Sequence, residues 1–154
     1  MATQVTLGSG VVSSAGSLKL QTNGTTDALT IDTSQNLGLG VTPSAWSSGK
    51  VLEIGNAGNA IWGNSTANFY LTENAYYNSG WKYASANGAA AYQMLTNSHA
   101  WSVSSGTPSA GSAITFTQAM TLDSSGNLLV GTNTTTYTDT NSTQIRLEIG
   151  RAHV

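Results

Sequence analysis

A thirteen-residue segment occurs twice in this chain. Ala28–Gly40 reads ALTIDTSQNLGLG, and Ala119–Gly131 reads AMTLDSSGNLLVG. In both copies apolar residues alternate with Thr and Asp, and this period of two predicts a strand, a tight polar turn and a second short strand. One hairpin of this size cannot bury its own apolar face, so it has to pack against other structure. The repeat therefore predicts an all-β chain built from short antiparallel hairpins.

Small polar residues join the two strands of each copy. Asp at the entrance of a turn accepts hydrogen bonds from backbone amides further on, and Asn or Gly at the exit tolerates left-handed dihedral angles. The copies differ where Gln35 stands in place of Gly126 and where Gly38 stands in place of Leu129. Turn type and packing therefore need not be the same in both. The residues assigned to the two structural turns are Asp32, Asn36, Asp123, Gly126 and Asn127.

The composition agrees with short strands and many turns. Thr, Ser, Asn and Gly make up 72 of the 154 residues, whereas Leu, Ile, Val and Phe together number only 29. Burial of so few apolar side chains offsets little of the conformational entropy that is lost when a chain of this length folds. We therefore expect the strands to be completed by further copies of the same chain.

Charge and apolar content exclude several classes of protein. The chain has 8% charged residues, a net charge of −2 and no Cys, which fits neither a basic nucleic-acid binder nor an acidic disordered tail and leaves the redox compartment open. Met1–Val12 lacks the basic start, apolar core and cleavage site of a secretory signal. No stretch approaches the roughly 20 apolar residues of a membrane-spanning helix. We expect no nucleic-acid partner, no membrane insertion and no signal peptide.

Runs with a period of two, bounded by Gly, Asn, Ser or Pro, predict further strands along the chain. Asn23-Gly24, Asn78-Ser79-Gly80, Asn87-Gly88 and Asn97-Ser98 mark turns between them. The predicted strands are Val5–Leu7, Ser17–Thr22, Ala28–Asp32, Val51–Ile54, Ala60–Trp62, Asn68–Glu73, Ala75–Asn78, Trp81–Ser85, Ala90–Thr96, Trp101–Ser104 and Ile114–Gln118.

A break rich in Pro, Ser and Gly at Thr42–Lys50 separates the first copy of the repeat from a middle part that holds most of the aromatic residues. This change in composition divides the chain into four parts. They are an N-terminal shaft-like segment with the first hairpin repeat at 1–45, an aromatic-rich β insert at 46–118, the second hairpin repeat with a truncated C-terminal segment at 119–147, and a short tail at 148–154.

The aromatic-rich insert is the one part of the sequence that suggests a binding surface. Eight of the ten Trp and Tyr residues lie between positions 51 and 104. Their rings have an apolar face and a polar edge, which suits both core packing and contact with sugar rings. We expect most of them to form core or a subunit interface, with a few outside. The candidate ligand contacts are Tyr77, Trp81, Lys82 and Tyr83.

No group of residues has the spacing of a catalytic or metal site. Sugar cleavage needs two carboxylates about 5–10 Å apart, and nothing in the spacing of the acidic residues indicates such a pair. Asp123–Asn127 resembles the opening of a calcium loop without its full ligand spacing, and His99 has no metal-binding neighbour. We expect no enzyme activity, no metal and no cofactor. The acidic residues considered are Asp27, Asp32, Glu53, Glu73, Asp123 and Asp139.

The segments ALTIDTSQNLGLGVTPSAW and ITFTQAMTLDSSGNLLVGT resemble a repeat of bacteriophage tail-fibre and receptor-binding proteins, and NAYYNSGWKYA resembles their inserts. The resemblance covers roughly Gly24–Thr132. It implies an extended fibre, an intertwined homotrimer, and a structural and adhesive role in attachment to a bacterial surface glycan or envelope protein. It also implies a place in the virion tail, outside the cell, after synthesis in the host cytoplasm.

Two other functions remain open from the sequence. One is the stalk of a bacterial surface adhesin or a secreted repeat protein, and the other is a tailspike that depolymerises polysaccharide. The last seven residues, Glu148–Val154 (EIGRAHV), resemble the translation of a common sequencing adapter, so we expect them to be artefactual. In that case the natural C-terminus is missing, and the resemblance implies that a trimerising or chaperone domain follows.

Overall fold

The computed structural model describes residues 15–64, 68–106 and 108–131, and all regular structure in these residues is β. The prediction of an all-β chain is confirmed. The predicted strand Val5–Leu7 lies outside the described residues, as do Asp139 and Glu148–Val154. The twelve strands are β1 (Leu18–Thr22), β2 (Thr26–Ile31), β3 (Leu37–Leu39), β4 (Lys50–Ile54), β5 (Ala60–Gly63), β6 (Phe69–Glu73), β7 (Ala75–Tyr77), β8 (Trp81–Tyr83), β9 (Ala90–Leu95), β10 (Ser98–Ser105), β11 (Thr115–Leu122) and β12 (Leu128–Val130).

Ten of these strands form one open sheet in the order β1-β2-β3-β4-β5-β6-β9-β10-β11-β12, while β7 and β8 form a separate hairpin. Neighbouring strands are antiparallel, as the hairpin prediction requires, except that β3 and β4 are parallel. This exception was not predicted. It follows from the Thr42–Gly49 segment, which crosses the sheet before β4 begins and so lets β4 run in the direction of β3.

The two copies of the repeat occupy the two ends of this sheet. Leu29 pairs with Leu39 in the first copy, and Met120 pairs with Val130 at the same positions of the second. A further strand, β1 or β10, precedes each copy, and its pairing shifts by one residue beside Ala28 or Ala119. The repeat is therefore larger than its sequence suggests, because each copy is the main part of a three-stranded meander with a β-bulge at the alanine.

The two turns share one set of hydrogen bonds. Asp32 Oδ1 accepts hydrogen bonds from the backbone amides of Ser34 and Asn36, each at 2.8 Å, and its Oδ2 accepts one from Asn36 Nδ2 at 2.9 Å. Asp123 accepts the same bonds from Asn127 at 2.8 and 2.9 Å. The hydrogen bond from the Asn127 side chain is the main cause that lowers the pKa of Asp123. These are the bonds that the turn prediction requires.

The two differences between the copies have different consequences. Gln35 adopts a φ of 66°, close to the 83° of Gly126, so the turn type is the same in both copies. Gly38 lies under the chain that leaves β3, and a Cβ atom at this position would stand 2.0 Å from the carbonyl oxygen of Val41. Leu129 occupies the matching position of the second copy. Only the packing therefore differs between them.

Replacing Gln35 by glycine is expected to raise the free energy of unfolding by about 0.5–1 kcal/mol. A left-handed backbone strains a residue that has a Cβ atom, and glycine relieves this strain at a smaller cost in chain entropy. The reciprocal change, Gly126→Gln, should lower the free energy of unfolding by a similar amount. Urea titration of both variants measures the two shifts. If both variants shift the free energy of unfolding in the same direction, the two turns are not equivalent.

The sheet has a covered face and an open face. On the covered face, two apolar clusters are packed beneath the β7–β8 hairpin and the loop segments beside it. Hydrogen bonds hold the hairpin in place, from the Ser47 amide to the Tyr77 carbonyl at 2.9 Å and from the Ile114 amide to the Trp81 carbonyl at 2.9 Å. The buried members of the clusters are Trp46, Val51, Ala60, Trp62, Tyr70, Ala75, Tyr83, Ala89 and Ile114.

Candidate functional site

The four candidate ligand contacts lie on the β7–β8 hairpin but do not form one exposed patch. Tyr83 is buried, with 3% of its surface exposed. Trp81 is half-buried, and its ring centroid lies 5.3 Å from that of Trp62. Tyr77 stacks on Trp62 at 5.4 Å with an angle of 19° between the ring planes. Three of the four predicted contacts therefore pack into the two apolar clusters of the covered face.

The pairing register of the hairpin explains why the four side chains do not form one exposed patch. Tyr77 is opposite Trp81 and Lys82 is opposite Tyr76, and alternate residues of a strand point to opposite faces. Lys82 is half-buried and its side chain points away from the face that carries Trp81 and Tyr83. The sequence places Trp81 and Tyr83 on one face, as observed, but it cannot tell that this face points inward. Ligand binding by Tyr77 or Lys82 stays a prediction.

Glu53 is fully buried at the centre of the covered face and has a structural role in this geometry. Its Oε1 accepts hydrogen bonds from Trp46 Nε1 at 3.0 Å and from the Gly58 amide at 2.9 Å. Its Oε2 accepts one from the Ser44 amide at 2.8 Å. The carboxylate thereby joins β4 to the Thr42–Gly49 segment and to the β4–β5 loop.

Most of the other described carboxylates also have partners within the chain. Asp27 contacts Lys19 and Gln21, and the hydrogen bond from Lys19 is the main cause that lowers its pKa. Asp32 and Asp123 hold the two turns. Glu73 is exposed at the end of β6, and no hydrogen bond to its carboxylate is formed by the residues that the structure describes. It lies at the edge of a cavity.

That cavity is a polar cleft of about 510 Å³ beside the ends of β6 and β8. Asn74 forms its floor, since Asn74 Nδ2 donates hydrogen bonds to the carbonyls of Asn87 at 2.6 Å and Gly88 at 3.1 Å. Asn59 Oδ1 accepts one from the Asn74 amide at 3.0 Å, and Asn59 Nδ2 has no hydrogen-bond partner among the described residues. The cleft is lined by Asn56, Ala57, Asn59, Glu73, Asn74, Ala84, Ser85, Asn87 and Gly88.

The open face of the sheet carries the exposed large apolar residues of the described chain. A row of directly paired side chains crosses all ten strands, one from each. The nine large apolar residues with the greatest exposure all lie on this face, in this row or the rows beside it. The row consists of Leu18, Ile31, Leu37, Leu52, Ile61, Leu71, Tyr92, Trp101, Met120 and Val130.

Sequence reasoning missed this surface. The alternation within each strand was visible, but assigning all these residues to one face requires the register between strands, which the sequence does not contain. A shallow depression of about 370 Å³ lies in the middle of the open face. Its rim includes Leu71, Tyr92, Trp101 and Val103, while Ala90 leaves space at the centre.

Among residues 15–64, 68–106 and 108–131, no group of three or more acidic or His residues is placed to hold a metal ion. The same residues contain no helix with the length and apolar character needed to cross a membrane. Comparison with known proteins finds no matching family model, no matching curated protein and no matching solved structure. The polar cleft and the open face are the features of the described residues that the proposed function uses.

Proposed function

We propose that this chain is a segment of a bacteriophage tail fibre with a structural and adhesive role. The observation that carries the proposal is the open face, which is apolar from one end of the sheet to the other. A sheet that exposes such a face needs a partner surface to be stable in water. The repeated meanders at both ends favour a protein in which the same unit is used to build an extended structure.

The proportions of the sheet favour a fibre. Ten strands about 4.8 Å apart, each about five residues long at about 3.4 Å per residue, make a ribbon of about 43 by 17 Å. Its long dimension runs across the strands. The proposed fibre axis lies along this dimension, and the proposed assembly is a homotrimer in the virion tail.

Adhesion in this proposal is assigned to the polar cleft on the outside of the assembly. The side chains of Asn56, Asn59 and Asn87 offer amide donors and amide acceptors within one cavity. Hydroxyl groups of a glycan pair well with such groups, because each hydroxyl both donates and accepts a hydrogen bond. The ligand class proposed is therefore a glycan of the bacterial surface.

Attachment to cells tests this function. Labelled protein is expected to bind some strains of a panel with defined surface glycans and to compete with phage for adsorption. The double variant Asn56→Ala, Asn87→Ala should reduce cell binding by about thirtyfold, since each lost hydrogen bond to a ligand is worth about 1 kcal/mol. Flow cytometry at a series of protein concentrations measures the change.

The matched control is Thr42→Ala, which removes an exposed polar side chain outside the cleft and should leave binding unchanged. Lys82→Ala tests the hairpin separately from the cleft. Binding to no strain would contradict the adhesive role. Binding that the cleft variant leaves intact but Lys82→Ala lowers would move the contact to the hairpin.

A further inference from the structure

We propose that the open face is the surface through which copies of this chain pack against one another, face to face. This inference deepens the proposed fibre role and rests on it for the expectation that several copies lie side by side. It names the contact surface, which the resemblance to tail fibres does not. The occupant of the face is a second copy of the chain.

The distribution of apolar residues between the two faces is the first argument. In β1 to β4 the Leu and Ile side chains point to the open face, where Leu20 is 58% exposed and Leu39 49% exposed, and Val51 is the one large aliphatic residue of these strands on the covered face. The covered face of the same strands carries Thr30, Gly38 and Glu53. The more apolar side of this half of the sheet is thus the side that the chain itself leaves uncovered. A sequence patterned for a lone chain would have the opposite arrangement.

The size of the face is the second argument. A ribbon of about 43 by 17 Å has an area of about 700 Å², larger than the largest apolar patch of most monomeric proteins. Two such faces in contact bury about 1,400 Å² in total, which lies within the range of stable protein interfaces. The area is therefore sufficient for specific association of two copies.

The charges on the face are the third argument. The titratable groups that the described strands place there, apart from Tyr92, are Lys50, Glu73 and His99. Lys50 Nζ donates a hydrogen bond to the Ser34 carbonyl, and His99 Nδ1 is 2.6 Å from Tyr92 Oη. An anionic lipid surface binds clusters of basic residues, and the face has none among these strands. A second copy presents a surface with the same few charges.

The geometry of packed sheets fits this arrangement. Facing sheets fill the space between them when they are about 10 Å apart. Three ribbons about 17 Å wide can form the walls of a triangular prism. Each ribbon then stands about 5 Å from the common axis, which is half of the spacing of about 10 Å between facing sheets. The depression bounded by Leu71, Trp101 and Val103 gives room for a large side chain of a neighbouring copy. The open faces of three copies therefore fill one interior.

Charge substitutions on the open face test the inference. Leu39 and Leu71 are 49% and 43% exposed in the single chain, so glutamate at either site places its charge in water unless a second copy covers it. Sedimentation velocity of the purified protein is expected to show an oligomer, and Leu39→Glu or Leu71→Glu should weaken association by at least about a hundredfold. Ala110→Glu, in an exposed loop, adds the same charge and should not.

Thiol labelling provides a second test that does not depend on stable dissociated variants. The chain has no Cys, so a single one can be introduced. Val103 is 50% exposed in the single chain, yet Val103→Cys should react with a maleimide at least about tenfold more slowly than Ala110→Cys when the face is covered. Equal labelling rates, a monomeric wild type, or undiminished association of both glutamate variants would overturn the inference.

The same preparations distinguish this inference from the proposed function. Protein that associates through the open face but attaches to no cells would refute the adhesive role and support the interface. Protein that attaches to cells while Val103→Cys is labelled as fast as Ala110→Cys would refute the interface and support the adhesive role.

Discussion

Replacing Glu53 by alanine is expected to lower the free energy of unfolding by about 3–5 kcal/mol. The change removes the acceptor of two buried hydrogen bonds and one partly buried one, and leaves the donors of Trp46, Gly58 and Ser44 without a partner. A buried donor that loses its partner costs about 1–3 kcal/mol. Urea denaturation at a fixed protein concentration, followed by the fluorescence of the buried tryptophans, measures the loss.

Two further variants show whether the loss comes from the hydrogen bonds. Glu53→Gln keeps the shape of the side chain and one acceptor oxygen, but it points an NH₂ group at one of the three donors, so its cost should lie between those of wild type and alanine. Glu73→Ala removes an exposed carboxylate and should cost less than about 0.5 kcal/mol. Similar losses for Glu53→Ala and Glu73→Ala would contradict the anchoring role of Glu53.

The exchange of Gly38 and Leu129 between the two copies of the repeat is expected to have very unequal effects. Gly38→Leu would bring Cβ to 2.0 Å from the Val41 carbonyl oxygen and 2.9 Å from Pro43 Cδ, so the chain between β3 and β4 has to move. We expect a loss of at least about 3 kcal/mol, similar to severe overpacking of a core. Denaturation midpoints and the yield of soluble protein measure it.

The reverse change, Leu129→Gly, is the matched control. It removes a half-buried side chain from a strand near the sheet edge and should cost about 1 kcal/mol, from lost packing and from the greater freedom of glycine in the unfolded chain. Equal effects of the two exchanges would mean that the segment after Gly38 does not pack on the sheet as described.

The positions of the strands could be predicted from the sequence, because period and turn chemistry are local. The predicted Ala90–Thr96 corresponds to β9 (Ala90–Leu95), and the Asn23-Gly24 turn joins β1 to β2 with positive φ at both residues. The predicted strand boundaries were wrong where two sequence patterns merge. Ile114–Gln118 and the start of the second repeat form the single strand β11, because the bulge at Ala119 continues the strand instead of ending it.

The partners of the strands could not be predicted. Alternation shows that a strand has two faces, but which strand lies beside it depends on contacts far apart in the sequence. The parallel pair β3–β4 is one example. Glu53 is another, because the alternation in β4 suggests that Leu52 and Ile54 point inward. Instead Val51 and Glu53 do, and the buried donors around Glu53 make this possible.

The order of the strands has a consequence for the length of the sheet. Except where β7 and β8 leave the sheet, each strand of the large sheet lies beside its nearest neighbours in the sequence. An additional hairpin inserted between two of them would lengthen the ribbon by about 10 Å and leave the other pairings as they are. The number of strands thus sets the length of the sheet across its strands, so that duplication or loss of a hairpin-coding segment changes this length in fixed steps.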